Sequence, residues 1–460
     1  MANVLSFVHL SDIHFGQERG AEVYIHTDVR DRLVDDVSAF YGARKQAGGQ
    51  GAHGILVTGD IAYGGKKPQY DDAGKFLDSV SIAAGCLNTE VRLAPGNHDI
   101  DLDEITHGMR TNLGAIEAKG EKELERQFQD DRDRGRLYDR LKEYAVFAEG
   151  YGCPLDGDGG HAGEKDYPIA PGRILRFVSW NSALVCSGKD QKGKLLLGAK
   201  QRVLPIDAGV ERIVLCHHPL PWFADEADAR RFLKNRARLF LSGHEHLAAI
   251  AVEVVEDDCH FLHLAAGATT PPDGYDYTYN ILDFEWLPDT DGLAVTVHPR
   301  VWVDGRKKFE ADSNRLAGAQ SKRCSLGCPQ FRAAPKVIAP PAPTGAAAIA
   351  ASDPKDGAGG GAQAPSPVGA PAEATVSRDD DFPRVRLRFF RELSRVQRLK
   401  VLVDLGGLPP NFDGFPTMAV ERKALEVLRS LKKLAELEVA IEKERSAAAK
   451  PSAGAGGSGE

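Results

Sequence analysis

Apolar runs long enough to cross a membrane are missing from the 460 residues: none reaches about 18 residues, so we expect no transmembrane helix. No basic segment precedes the first apolar stretch at Val4, so we expect no signal peptide. The seven cysteines lack the regular spacing of a disulfide framework, which favours a reducing compartment such as the cytoplasm. A net charge of −8 argues against wholesale coating of nucleic acid.

Five short motifs carry the side chains that a metal site needs, and each follows an apolar stretch that predicts a strand. The predicted strands span 4–10, 54–58, 90–94, 212–215 and 237–241. The carboxyl ends of strands in α/β sheets border a common ligand site, so the five loops can converge. The motifs are Asp12-Ile13-His14, Gly59-Asp60, Gly96-Asn97-His98-Asp99, Cys216-His217-His218-Pro219 and Gly243-His244-Glu245-His246.

Seven of these side chains form a mixed donor set of four imidazoles, two carboxylates and one amide oxygen, without a thiolate. Such a set suits Mn, Fe, Zn, Co or Ni better than Ca or Mg, which prefer oxygen. It exceeds what one tetrahedral zinc needs and fits two ions that share a carboxylate. Paired ions generate a hydroxide near neutral pH and clamp a phosphoryl group. The seven candidates are Asp12, His14, Asp60, Asn97, His217, His244 and His246.

In this order the motifs resemble those of the calcineurin-like metallophosphoesterases, and the resemblance covers about residues 4–305. It implies a four-layer α/β/β/α sandwich with a dinuclear site of divalent or trivalent ions, among which Mn is expected to support activity in vitro. Asp60 would bridge the two ions. The first ion would be held by Asp12, His14 and His246, and the second by Asn97, His217 and His244.

The resemblance also implies two catalytic residues outside the ligand set. His98 would face the leaving group or stabilise the transition state, and Asp99 would orient its ring. Of the pair His217 and His218, the first matches the ligand position because it stands two residues before Pro219. We expect His218 to line the pocket.

The chain divides at shifts in composition. The residues from 121 to 149 are densely charged and predict one or two helices, and those from 150 to 172 predict a loop. Together they suggest either a cap that shapes substrate choice or a solvated hairpin. Arginines 110, 132, 134 and 136 are candidate phosphate contacts or a charged helix face. We predict a phosphoesterase domain (1–332, with a cap insertion at 101–172), an Ala/Pro/Gly-rich flexible linker (333–380), a basic helical module (381–446) and a disordered tail (447–460).

The predicted C-terminal module is basic: residues 382–450 hold 15 lysines and arginines against nine acids, a net charge of +6. Its Phe389-Phe390-x-x-Leu393-Ser394 stretch and its Leu-rich helix, predicted over 420–444, loosely resemble death-like effector-associated domains of bacterial conflict proteins. That resemblance implies a protein partner. A coiled-coil dimerisation helix, a nucleic-acid contact and a solvated amphipathic hairpin remain alternatives.

The predicted function is a metal-dependent phosphoric ester hydrolase, and more narrowly a phosphodiesterase that uses a metal-held hydroxide on a nucleotide or nucleic acid. The His-His-Pro stretch supports the diester weakly, because it resembles the cyclic-nucleotide branch of the family. A phosphomonoesterase or protein phosphatase is the alternative among enzymes. A signalling adaptor in a bacterial conflict system, whose C-terminal module mediates association, is the alternative of another class. No membrane partner is expected.

Overall fold

A computed structural model describes residues 4–256, 259–333 and 381–448. The predicted linker (333–380) and tail (447–460) lie, apart from their first residues, outside the described residues. None of the described helices combines the length and the apolarity that a bilayer crossing requires.

The strands form two sheets. The first has the order β12-β11-β10-β1-β2-β3, with β13 paired to β11, and the second has the order β4-β5-β6-β7-β9-β8. The strands are β1 (Val4–Leu10), β2 (Gly54–Thr58), β3 (Val91–Ala94), β4 (Ala162–Ala170), β5 (Arg173–Ser179), β6 (Val210–Leu215), β7 (Leu239–Ser242), β8 (Ala248–Glu256), β9 (Cys259–Ala266), β10 (Thr278–Leu287), β11 (Gly292–Val303), β12 (Lys308–Ala311) and β13 (Lys322–Leu326).

An apolar layer lies between the two sheets and joins them face to face. Phe7 of β1 packs there in van der Waals reach of Phe177 from β5 and Phe284 from β10, with ring centroids 4.9 and 5.8 Å apart. A second cluster covers the outer faces, where Leu33 and Leu233 from flanking helices are completely buried. The layers are therefore helix, sheet, sheet and helix, as predicted.

The helices flank the sheets and build the C-terminal module. They are α1 (Glu22–Gln46), α2 (Lys67–Ala84), α3 (His107–Lys119), α4 (Glu121–Gln129), α5 (Asp131–Asp139), α6 (Lys142–Gly150), α7 (Ala199–Arg202), α8 (Glu226–Arg236), α9 (Pro329–Ala333), α10 (Phe382–Glu392), α11 (Arg395–Asp404), α12 (Met418–Ser430) and α13 (Leu434–Ala448).

The strands that precede the five motifs place those motifs at one edge of the sandwich. β1, β2 and β3 are mutually parallel, and so are β6 and β7 in the other sheet. All five predicted strands are confirmed. The later strands β10 to β13 belong to the first sheet, because β10 pairs antiparallel with β1.

Residues 101–172 differ from their prediction in two respects. The stretch 121–149 forms three helices, α4 to α6, instead of one or two. The stretch predicted as a loop contains β4, which pairs antiparallel with β5 at the edge of the second sheet. An edge strand needs only one partner, and the side chains of β4 alternate in burial without a continuous apolar run. The sequence therefore contains only a weak indication of this strand.

The C-terminal module is a bundle of four helices around an apolar cluster that includes Phe389, Leu402 and Leu425. The helix predicted over 420–444 is divided into α12 and α13. Lys432 takes a φ of 59°, and the N–H of Lys433 donates to the carbonyl of Leu428, a helix-ending turn that the apolar periodicity does not reveal.

The module packs on the larger N-terminal domain through α10 and α12. Arg391 makes a two-pronged ion pair with Asp78 of α2, and Arg422 makes another with Glu149 of α6. Leu387 of α10 joins the apolar cluster of the larger domain. Planar guanidinium–carboxylate pairs fix orientation as well as distance.

Glycines of the larger domain make room for this contact. A Cβ on Gly74 would lie 2.9 Å from Nη2 of Arg391, and one on Gly150 would lie 3.2 Å from Leu387. Gly152 faces Arg386 at a φ of +70°. The surface under the module is thus shaped to accept its side chains.

Candidate metal centre

The loops after β1, β2 and β7 hold five of the seven candidate ligands in a backbone conformation that side chains rarely adopt. Nine non-glycine residues have positive φ among the described residues. Such conformations cost roughly 1–3 kcal/mol each and cluster at functional sites. The five are Asp12 (φ 52°), His14 (φ 53°), Asp60 (φ 52°), His244 (φ 70°) and His246 (φ 54°).

Glycines allow these loops to approach one another. A Cβ on Gly59 would lie 2.6 Å from Nδ1 of His217, and a Cβ on Gly243 would lie 2.6 Å from Oδ2 of Asp12. A Cβ on Gly96 would overlap the carboxylate of Asp60. The three glycines of the motifs are therefore required by space, since any side chain there would enter the cluster of candidate ligands.

Asp60 lies at the centre of the cluster. Its Oδ2 is 3.2 Å from Nε2 of His14 and 3.1 Å from Nε2 of His217, so one oxygen faces both halves of the candidate site. Nε2 of His217 is also 3.2 Å from Oδ1 of Asn97 and 3.3 Å from Nδ1 of His244.

The other half of the cluster contains Asp12. Its Oδ1 lies 3.3 Å from Nε2 of His246, and its Oδ2 accepts from the N–H of His244. Oδ1 is buried, and its contact with His246 lacks the geometry of a hydrogen bond, so no hydrogen bond satisfies this oxygen in the described structure. A buried carboxylate oxygen without a partner is costly unless a cation binds it. The donor set therefore fits divalent cations.

Backbone carbonyls fix two of the histidines. Nδ1 of His217 lies 2.8 Å from the carbonyl of Thr58, and Nδ1 of His14 lies 3.3 Å from that of Thr270. A carbonyl only accepts, so each Nδ1 carries a proton and each Nε2 is the nitrogen that can bind an ion.

The electrostatics of the cluster favour positive charge at its centre. Burial opposes a charge on His217, yet the carboxylates of Asp60 and Asp12 outweigh it and raise the pKa of His217 to about 9. Burial also opposes a charge on Asp60, but His217 and His14 hold the pKa of that carboxyl well below its usual range. Burial and the charge of His217 lower the pKa of His244 to about 4. The carboxylates thus stay ionised, as metal ligands must.

His98 lies at the edge of the cluster, where one of its ring nitrogens is within 4.8 Å of ligand atoms of His14 and Asp60. Its backbone N–H donates to Oδ1 of Asp60, and its Nδ1 lies 3.0 Å from the carbonyl of Tyr63. The ring stacks on that of Tyr63 with centroids 4.7 Å apart. Sequence reasoning missed Tyr63, which no motif contains.

Asp99 was expected to orient the ring of His98, but it does not contact that ring. Its buried carboxylate accepts from the N–H groups of Ile61, Ala62 and Gly96 and from the hydroxyl of Tyr70. These donors use up its acceptor capacity. Burial, with the charge of Asp60, raises the pKa of Asp99 to about 6. Asp99 therefore joins the Asp60 loop to the Asn97 loop.

His218 is completely buried, so the expectation that it lines a pocket is not met. Its Nδ1 lies 2.9 Å from Oγ of Ser182, and its ring centroid is 4.3 Å from that of His244. The candidate ligand atoms of His217, His218 and His244 lie within 4.8 Å of one another.

A cavity of about 500 Å³ opens beside the cluster, and His14, His98 and His246 form part of its wall. The described residues of the 101–172 insertion do not line it. Arg134 and Arg136 instead pair with Asp131 and Asp133 on their own helix. Arg110 lines a separate cavity of about 350 Å³.

Comparison with known families gives the site its context. The model of the calcineurin-like phosphoesterases matches residues 5–248, more than half of the chain. The chain belongs to the calcineurin-like phosphoesterase family. This confirms the predicted family and supports the predicted class of enzyme, a metal-dependent phosphoric ester hydrolase. Residues 381–443 match the model of the GTPase-associated adaptor domain, in agreement with the adaptor-like module that the sequence predicts.

A curated relative is the uncharacterized metallophosphoesterase-like protein YydB of Bacillus subtilis strain 168. It is 25% identical over 283 residues, which are 57% of this chain and 53% of that protein. The chain thus spans about half the length of this relative.

Solved structures are similar at lower identity. The calcineurin-like phosphoesterase YfkN from Bacillus subtilis is 10% identical, with 71% of this chain and 91% of that chain covered and a TM-score of 0.30. The NAD nucleotidase NadN of Haemophilus influenzae is 10% identical, with 69% and 55% covered and a TM-score of 0.34.

Proposed function

We propose that the chain is a dimetal-dependent phosphodiesterase that hydrolyses a nucleotide or nucleic acid. The observation that carries this proposal is the position of Oδ2 of Asp60, which faces His14 on one side and His217 on the other. One carboxylate between two sets of donors is the arrangement that two ions need. The first set is Asp12, His14 and His246, and the second is Asn97, His217 and His244.

Two ions at this place would activate water and neutralise charge on the phosphoryl oxygens. In the reaction, water adds to phosphorus, the bond from phosphorus to the leaving oxygen breaks, and that oxygen takes up a proton. His98 is the proposed donor of that proton. Because its Nδ1 is bound to the carbonyl of Tyr63, its Nε2 is the nitrogen available for proton transfer. Asp99 is a positioning residue that keeps two ligand loops together.

A diester is favoured over a monoester by the charges at the site. A monoester carries a second negative charge near neutral pH, and sites for dianions commonly place arginine or lysine around it. None of the described residues that line the cavity is an arginine or a lysine.

The test is hydrolysis of bis-p-nitrophenyl phosphate against p-nitrophenyl phosphate, with Mn²⁺ and after chelation. We expect metal-dependent cleavage of the diester, reduced at least about 100-fold in Asp60→Asn because the shared ligand loses its charge. The variant also controls for contaminating enzymes. Preference for the monoester would replace the diester proposal with a phosphomonoesterase. Failure to cleave either ester with metal bound would contradict both.

We further propose that residues 381–446 bind a protein partner, which the match to an adaptor domain associated with GTPases supports. Val396 of α11 and Val439 of α13 are 64% and 69% exposed, on helices other than the two that carry the ion pairs to the larger domain. Exposed apolar side chains are candidate contacts.

Val396→Asp and Val439→Asp test the partner proposal. We expect loss of function in cells with hydrolysis in vitro unchanged, because neither residue lies near the candidate metal centre. Unchanged function in cells with both substitutions present would contradict it.

A further inference from the structure

Aromatic and apolar side chains share the wall of the cavity beside the candidate metal centre with the histidines. Tyr63 stacks on His98, and Tyr277 meets the ring of His26 edge-on, with centroids 5.9 Å apart. Pro271 also lines the space. A volume of about 500 Å³ is within the range of pockets that hold small molecules.

The charged residues of this wall are all acidic. Glu22 and Asp273 line the cavity, together with no described lysine or arginine. One oxygen of Glu22 accepts from the N–H of Arg19, which keeps the carboxylate in place at the first turn of α1. The wall therefore carries two negative charges without cations between them.

The groups that pack behind the wall do not neutralise its negative charge. The guanidinium of Arg30 donates to Glu18 and covers the ring of Phe15, so its charge is compensated. Burial lowers the pKa of His26, so this ring is neutral near pH 7. Its Nδ1 is buried and has no hydrogen-bond partner in the described structure.

We propose that Glu22 and Asp273, with the rings of Tyr63 and Tyr277, select a diester whose group in this cavity is cationic, accept a neutral group less well, and reject a second phosphate. A cation is attracted by carboxylates and by the faces of aromatic rings. A further phosphate would meet the like charges of these two carboxylates. The inference rests on the proposed function, since it assumes that the reacting phosphate lies at the metal centre.

The proposal narrows the substrate to a small diester with a single phosphate. A nucleic acid brings a phosphate on each side of the one that reacts, and one of them would lie near the two carboxylates. Polyanions are bound by basic surfaces, which this wall does not offer.

The experiment uses two pairs of p-nitrophenyl diesters, and the members of each pair differ in one charged group. The first pair is p-nitrophenyl phosphorylcholine and its uncharged 3,3-dimethylbutyl isostere. The second pair is thymidine 3′-(p-nitrophenyl phosphate) with and without a 5′-phosphate. We expect higher kcat/KM for the choline ester and lower kcat/KM for the 5′-phosphorylated ester, measured with Mn²⁺ at low salt.

Glu22→Gln and Asp273→Asn remove the two charges while the side chains keep their shape. Each should reduce the preference for the choline ester by about two- to fivefold, the range of exposed ion pairs, and should lessen the discrimination against the 5′-phosphate. Comparing ratios of kcat/KM between variants cancels the intrinsic reactivity of the esters. Asp276→Asn, on the same loop but outside the lining, is the matched control and should change neither ratio.

A second readout separates this inference from the proposed function. Calorimetric binding of phosphorylcholine against 3,3-dimethylbutyl phosphate needs no turnover. One outcome is that the protein cleaves no ester and yet binds the cationic ligand more tightly, with that preference lost in the two variants. This result would support the selectivity of the cavity and contradict the proposed function. Hydrolysis with no charge preference, or with the 5′-phosphorylated ester favoured, would leave the proposed function standing and overturn the inference.

Discussion

At the scale of the residue, the candidate ligands were predictable because their types and order carry the chemistry. The sequence does not reveal the hydrogen bonds that fix the positions of these side chains and their loops. Asp99 was expected beside the ring of His98, yet it binds three backbone N–H groups and Tyr70. Tyr63 and Glu22 belong to no motif and reach the site through the folding of their loops and helices, which only tertiary structure specifies.

Gly96→Ala tests how closely the loops approach. The new Cβ would overlap the carboxylate of Asp60, so we expect metal binding and diester hydrolysis to fall together by at least about tenfold. Elemental analysis and initial rates measure both. Gly114→Ala is the control: it lies inside α3 with open space around it and should stabilise the protein by about 0.5–1 kcal/mol. Unchanged metal content in Gly96→Ala would contradict the geometry.

At the scale of the element, strands with buried, β-branched runs were predictable, and the five that precede the motifs are observed. Elements without such a pattern were not. β4 lies at a sheet edge and pairs on one side, and the helix predicted over 420–444 breaks at Lys432 through a local turn. The choice of strand partners was also hidden, because β10 pairs with β1, and β11 with β10, only after the chain returns across the sandwich.

His9 in β1 predicts how the pairing of β1 with β2 responds to acid. The ring is completely buried and bonded to Thr58 of β2, and burial lowers its pKa from 6.5 to about 3. Below pH 6.5 the unfolded chain binds a proton that the folded chain does not, so stability falls as the pH falls towards 3. We expect this residue alone to lower the free energy of unfolding by about 2 kcal/mol between pH 7 and pH 5.

Chemical denaturation of the wild type and His9→Gln at both pH values measures that slope. Glutamine keeps a polar group for Thr58 but does not titrate, so its stability should fall less between pH 7 and pH 5. Equal losses in the two proteins would show that His9 does not resist protonation.

At the scale of the whole molecule, the sandwich and the separate helical module were predictable from composition and motif order. The docking of the module was not. It depends on pairs such as Arg391 with Asp78, more than 300 residues apart, and on glycines that leave space for the side chains of the module. No local sequence pattern predicts such pairs, because each residue alone is indistinguishable from a charged side chain exposed to solvent.

Charge reversal tests the docking. Arg391→Glu places two acids together and should destabilise the docked arrangement by on the order of 1–2 kcal/mol, seen as faster proteolysis of residues 381–448 and a lower Tm. Asp78→Arg should act in the same direction. The double variant restores an ion pair and should recover most of the loss. Two single variants that behave like the wild type would show that the contact contributes nothing.

The most direct test of the dimetal claim is to titrate Mn²⁺ into chelator-treated protein while bound metal and bis-p-nitrophenyl phosphate hydrolysis are followed together. Two ions per chain are predicted, with full activity only when both are bound, and with fewer ions and little activity in Asp60→Asn. Full activity with one ion, or with none, would contradict a centre built around a shared carboxylate.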